Sequence, residues 1–273
     1  MMLDYMQLML WPLLAAFVLT GIHVYLGLHV VTRGVIFVDL ALAQIAALGM
    51  TVGVLFGLEN ESVGIYVIAL AFTILGAALF ALTRDIQKRF NQEAIIGISY
   101  VISAASMILL LSKMAEGGEH LNNLLVGSIL FVTPSAVIKT AILYAIVGGF
   151  HYAYRKEFMT VSGFTPDGQK QLRMTRFWDF MFYMTFGLVV TSSVQIAGVF
   201  LVFSFLIIPA VAALLFSKDI RQRLFLGWGF GIVGSMLGIL ASVILDIPTG
   251  ASIVTTFGVL LILVAVYRYL RPA

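Results

Sequence analysis

Residues Gly34 to Gly49 read GVIFVDLALAQIAALG. The run is apolar on every face of a helix, not along one stripe, so a helix built from it leaves no side for water. Only Asp39 and Gln44 interrupt it. Whether its surroundings are lipid or a protein core is decided by the rest of the chain. Of the 273 residues 61% are hydrophobic and 11% charged, with a mean hydropathy of +1.06, whereas an ordinary soluble domain carries about 25% charged residues. So few charges could not clothe a soluble protein of this length. Apolar runs close to the ~20 residues needed to cross a bilayer as helix recur along the whole chain. The expected fold is therefore an all-α polytopic membrane protein, with residues 1–273 forming a single transmembrane domain.

Spans are expected at 8–30, 35–57, 63–83, 94–112, 136–154, 178–194, 197–216, 224–244 and 251–268, each closed by Gly, Pro or charge. That makes nine, or eight if 178–216 holds one span and a re-entrant piece. Every second connection is basic: Arg33; Arg84, Lys88 and Arg89; Arg155, Lys156, Lys170, Arg173 and Arg176; Lys218, Arg221 and Arg223; and finally Arg268 and Arg271. All but Lys113 and Lys139 of the 16 Lys and Arg thus fall on one side. The other side holds Glu59, Glu61, Glu116, Glu119 and Asp246. The excess of cations marks the cytoplasmic face, which puts the N-terminus outside and the C-terminus in the cytoplasm. This alternation favours nine spans, and it accounts for the net charge of +3 without a nucleic-acid partner. The start, MMLDYMQLMLWPLL, lacks a basic n-region and is expected to enter the first span instead of forming a cleaved leader. Cysteine is absent, which excludes disulfides and thiolate chemistry.

The longest cytoplasmic connection, RKEFMTVSGFTPDGQKQLRMTR (155–176), contains a helix-start pattern: Thr165 as cap, Pro166 at the first helical position, and Asp167 near the positive end of the dipole. From composition alone the favoured reading is a solvated basic loop tethered to headgroups. The outer connection 113–135 is too short in its apolar part to cross, and lies at the interface or dips into the protein. No G-x-x-x-x-G-K-[ST], H-E-x-x-H or G-x-S-x-G occurs, and no set of nucleophile, base and oxyanion donors stands out by spacing, so the chain is not expected to be an enzyme.

Taken together, RGVIFVDLALAQIAALG, NQEAIIGISY, HLNNLLVGSILFVTPSAV, AGVFLVFSFLIIPAVAALL and LDIPTGASIVTTFGVLLILV resemble, in order and spacing, the zinc/manganese/iron-type permeases of bacterial ABC importers. The resemblance runs from Gly27 to Leu263. It implies a homodimeric permease of the cytoplasmic membrane that passes a divalent metal ion and binds no cofactor of its own. The partners it implies are cytoplasmic ATPase subunits that hold the ATP and an extracytoplasmic metal-binding protein. The loop Phe164 to Arg176 would dock on the ATPase, with Thr165, Pro166, Asp167, Leu172 and Arg173 as coupling residues. Permeases for a larger metal chelate, or a membrane scaffold or sensor that lost transport, are the alternatives.

Members of that family commonly carry Gly-Asp-x-x-x-His at the head of the opening segment. Here Asp39 stands where the family has Gly, Leu40 where it has Asp, and Gln44 where it has His. An amide oxygen is a weaker ligand than imidazole for zinc, so the family site does not carry over residue by residue. A replacement is suggested by depth. His23 lies ten residues before Arg33 and Gln44 eleven after it, so antiparallel spans turning there bring the two to one level; His29 and Asp39 match similarly. His23, His29, Asp39 and Gln44 are the expected permeation-path residues. Two plainer readings stand beside this one: Asp39 and His29 form an ion pair or hydrogen bond near Arg33, and His23 is a bonded core histidine. Glu93 and Gln195 are further polar positions, while Pro209, Gly231, Gly234 and Gly238 read as kink and close-packing residues.

Overall fold

The computed structural model describes residues 2–59, 62–83, 91–114, 117–127, 129–164 and 174–271. Among them the chain forms ten α-helices and no strand: α1 Met2–Arg33, α2 Val38–Leu55, α3 Val63–Thr83, α4 Gln92–Leu111, α5 Gly117–Val126, α6 Pro134–Ala153, α7 Arg155–Val161, α8 Thr175–Leu214, α9 Ile220–Leu245 and α10 Thr249–Leu270. Eight of these are long and apolar enough to cross a bilayer, counted among the described residues. They match the expected spans one for one, except that 178–194 and 197–216 are joined in α8. That helix is two segments meeting at Gly198, whose φ of 74° and ψ of 164° are not helical. The helix-start pattern at Thr165, with Leu172 and Arg173, lies outside the described residues.

The helices fall into two compact units: residues 32–124 with 146–195, and residues 1–31 with 125–145 and 196–273. In the first, α2 packs on α3 and α4. Small residues let them approach. A Cβ on Gly49 would meet the Ala69 Cα at 2.9 Å, and one on Gly76 would meet Ile45 Cδ1 at 2.8 Å. Hydroxyls and amides then join helices where backbone bonding is already complete. Thr73 Oγ1 lies 3.0 Å from Thr191 Oγ1, and the Gln92 side-chain amide donates to the Phe80 carbonyl (3.0 Å) and to Tyr183 Oη (3.2 Å). The 175–195 half of α8 runs the length of this unit: Asp179 pairs with Arg33 at 3.0 Å, and Gln195 Nε2 reaches Met50 Sδ at 3.9 Å.

In the second unit α9 and α10 are packed through glycines. A Cβ on Gly238 would meet the Ile253 Cα at 2.6 Å, and Ser252 Oγ donates to the Gly238 carbonyl at 2.7 Å. The turn between them is closed by Asp246 in the left-handed region (φ 52°) and by Ser242 Oγ, which donates to the Ile247 carbonyl at 2.6 Å. On α1, Thr20 and Val24 lie against Gly231 and Gly227, the Gly21 carbonyl accepts from Trp228 Nε1 at 3.0 Å, and Gly27 touches the Leu206 carbonyl. The glycines expected to serve close packing do so. Gly198 presses on Gly127 at one end of this unit, where Val126 also meets Gly250. At its other end Arg268 Nε donates to the Leu215 carbonyl at 3.1 Å. The second half of α8 therefore runs alongside α10 for most of its length.

Candidate functional site

α2 begins after a tight turn. Gly34, at φ 70°, ends α1 one residue beyond Arg33, a backbone angle that side-chain-bearing residues rarely adopt. The first turn of α2 is then pinned by α4: Glu93 Oε1 accepts from the Phe37 N–H at 3.0 Å, while Asn91 caps α4 by accepting from the Glu93 N–H at 3.1 Å. Glu93 is thus a fastener between two helix starts. Two residues beyond Phe37 comes Asp39. Its carboxylate is fully buried (0% exposed), and neither oxygen accepts a hydrogen bond from a described residue. Gln44 is 2% exposed, and its Oε1 is in the same condition. Buried acceptors without donors are rare and costly, and a carboxylate costs more than an amide. The two are five residues apart, so on an ideal helix they diverge by about 140° and stand ~7.5 Å apart along the axis. They line one helix at two depths instead of forming a single chelating pair.

The expected histidines belong to the other unit. His23 is buried on α1 with Nδ1 2.8 Å from the Leu19 carbonyl oxygen, so that nitrogen carries the proton and donates, and its ring meets Tyr144 edge-on at 5.9 Å. This is the geometry of a bonded core histidine. The ring of His29 lies edge-on to Tyr25 at 4.6 Å. Among the described residues no three His, Asp or Glu side chains come together as a metal cage. Arg33 does not serve Asp39 or His29 as an ion-pair partner: its Nη1 donates to Asp179 Oδ1 at 3.0 Å and its Nε to Ser162 Oγ at 2.9 Å. The guanidinium carbon sits 3.8 Å from the centre of the Phe182 ring, a cation–π contact. Sequence reasoning missed this group. The available signal was Asp179 itself, a lone carboxylate inside the apolar run FWDFMFYMTF, since an ionisable residue within a span calls for a named partner. Nearby, His151 stacks on Phe158 with centroids 3.9 Å apart, and its Nε2 lies 2.8 Å from Thr185 Oγ1.

The fold is shared with a solved structure, PsaBC from Streptococcus pneumoniae in complex with Fab, at a TM-score of 0.79 and 22% identity over 96% of this chain and 93% of that one. The chain is 25% identical to the manganese import system permease protein ScaB of Streptococcus gordonii, covering 95% of this chain and 92% of the relative. It is 27% identical to the manganese transport system membrane protein MntC of Listeria innocua, covering 84% and 79%. A family model matches residues 5–268, nearly the full length and both units. The eight apolar helices, the glycine-packed units and this match have one reading: the chain is a multi-pass membrane protein that belongs to the ABC 3 transport family.

Proposed function

We propose that this chain is the membrane-spanning subunit of an ATP-driven importer of a divalent transition metal, with manganese first among manganese, iron and zinc. The observation that carries the reading is the family match over residues 5–268. Manganese ranks first because it appears in the names of the two relatives described above. In this reading two copies of the chain form the pathway, ATPase subunits bind the basic connection 155–176 through Thr165, Pro166, Asp167, Leu172 and Arg173, and an extracytoplasmic protein delivers the ion. The bacterial cytoplasmic membrane is its place. The two halves of α8 count as separate crossings, giving nine in all, with the N-terminus outside and the C-terminus in the cytoplasm.

Asp39 and Gln44, both on α2, mark the path, while the bond of His23 to the Leu19 carbonyl supports its plainer reading as a core histidine. A divalent ion leaving water needs oxygen or nitrogen partners, and hydrocarbon supplies none. One carboxylate and one amide oxygen at two depths suit passage, because a stronger cage would hold the ion. The test is accumulation of manganese, iron and zinc, one at a time, by cells expressing the chain with its ATPase and binding protein. Manganese should accumulate above the level of cells lacking the chain. A complex that assembles and hydrolyses ATP while accumulating none of the three metals would sink the reading.

A further inference from the structure

One side chain joins three parts of the unit formed by residues 32–124 and 146–195. Arg33 closes α1 immediately before the Gly34 turn. Its Nε binds Ser162, the residue that caps the end of α7, and its Nη1 binds Asp179, in the second turn of α8. Ser162 and Asp179 stand at the two ends of the cytoplasmic connection, so one guanidinium grips both. The grip is dry: the Arg33 and Asp179 side chains are 7% and 1% exposed, and Phe182 covers the guanidinium face. On its other side Arg33 is one residue from the turn that leads through Phe37, held by Glu93, to Asp39. The site also has spare capacity. Nη2 of Arg33 is buried and meets no acceptor among the described residues. A buried donor left over costs stability and returns none, so it stands out against a purely structural ion pair, in which every donor would be used.

We infer that Arg33 is a positioning residue of the transport cycle, carrying displacement of the connection between Ser162 and Asp179 to the Gly34–Phe37 turn and so to Asp39 at the head of α2. A planar fork can hold two partners in fixed relative positions, which a lysine ammonium on a flexible stem cannot, so the function requires arginine specifically. The inference rests on the reading that an ATPase docks on this connection.

The natural absence of cysteine supplies the test. Ile36 is exposed in the turn, and Ile36→Cys reports on it through its thiol-labelling rate in the assembled complex with the ATPase in nanodiscs, with and without ATP and vanadate. Nucleotide trapping should change that rate about ten-fold with Arg33 present, within the usual range of coupling between sites. In Arg33→Lys the change should vanish, while ATP hydrolysis continues and the metal moved per ATP falls by a similar factor. The exchanged pair Arg33→Asp with Asp179→Arg should recover part of the response, and it keeps the test decisive if Arg33→Lys fails to fold. An equal response in Arg33→Lys, or no response with Arg33 in place, would overturn the inference. Failure of the parent reading looks different: the unmodified chain would not assemble with the ATPase, or the assembled complex would hydrolyse ATP and move no metal.

Discussion

At Asp39 the protein keeps a carboxylate where stability gives no reason for one. Its oxygens are buried without donors among the described residues, and replacing buried ionic groups with well-packed apolar ones often stabilises by about 1–4 kcal/mol. Asp39→Leu should therefore raise the melting temperature of the purified protein while abolishing metal uptake, and Asp39→Asn should cut uptake by about ten-fold or more with protein level unchanged. Normal uptake by Asp39→Asn would reduce the carboxylate to a packing residue and move the search for the path to Gln195 and Glu93. The sequence marked Asp39 and Gln44 because any polar group stands out in such a segment. It could not mark the Arg33–Asp179 pair, because its members are far apart in the chain and depth arithmetic around one turn reaches only neighbouring spans. The same arithmetic placed His23 level with Gln44 but was silent on helix rotation, and the His23 ring is turned to its own helix, at the Leu19 carbonyl.

Among the helices, α8 is the informative case. A straight helix of its 40 residues would measure about 60 Å, twice the ~30 Å of a bilayer core. Gly198 breaks it, at a φ of 74° and in backbone contact with Gly127. Gly198→Ala would meet both the left-handed backbone and that contact, so it should destabilise by about 2 kcal/mol or more. Gly97→Ala is the control: its Cβ would meet nothing within 4 Å on the helical α4, and it should be neutral or stabilise by about 0.5–1 kcal/mol. Melting temperatures in one detergent compare the two; equal shifts would deny Gly198 its special place. Helix bounds were legible wherever hydropathy and breakers agree, as for α3, expected at 63–83 and found at Val63–Thr83. The fusion in α8 was not, because hydropathy registers how apolar a run is and carries no dihedral angle. α1 runs on to Arg33, past the expected residue 30, because Thr32 and Arg33 continue a helix until Gly34 ends it.

For the molecule as a whole, the side of each loop is the prediction, since the basic connections alternate with acidic ones. Single cysteines near Glu59 and Asp246 should react with an impermeant thiol reagent in intact cells, and those near Lys88 and Lys170 should react only after lysis. Outside labelling at Lys88 or Lys170 would reverse the topology. Hydropathy and charge were enough to read a polytopic bundle, but not its division into two units, because that depends on which helices choose each other, and apolar surfaces in lipid are nearly interchangeable by composition. The division sets an order of events during synthesis. The unit built from residues 32–124 and 146–195 has its last segment once residue 195 leaves the ribosome. The other begins with residues 1–31 and gains 125–145 on the way but needs 196–273, so the packing around the first helix made is among the last to be completed. Thr20, Val24 and Gly27, which fit against Gly231, Gly227 and Leu206, wait on the order of ten seconds at usual elongation rates. During that interval the newborn α1 has only residues 125–145 of its own unit to meet, as at His23 and Tyr144, and the cell's insertion and quality-control machinery must tolerate its remaining bare face until the carboxyl-terminal third arrives.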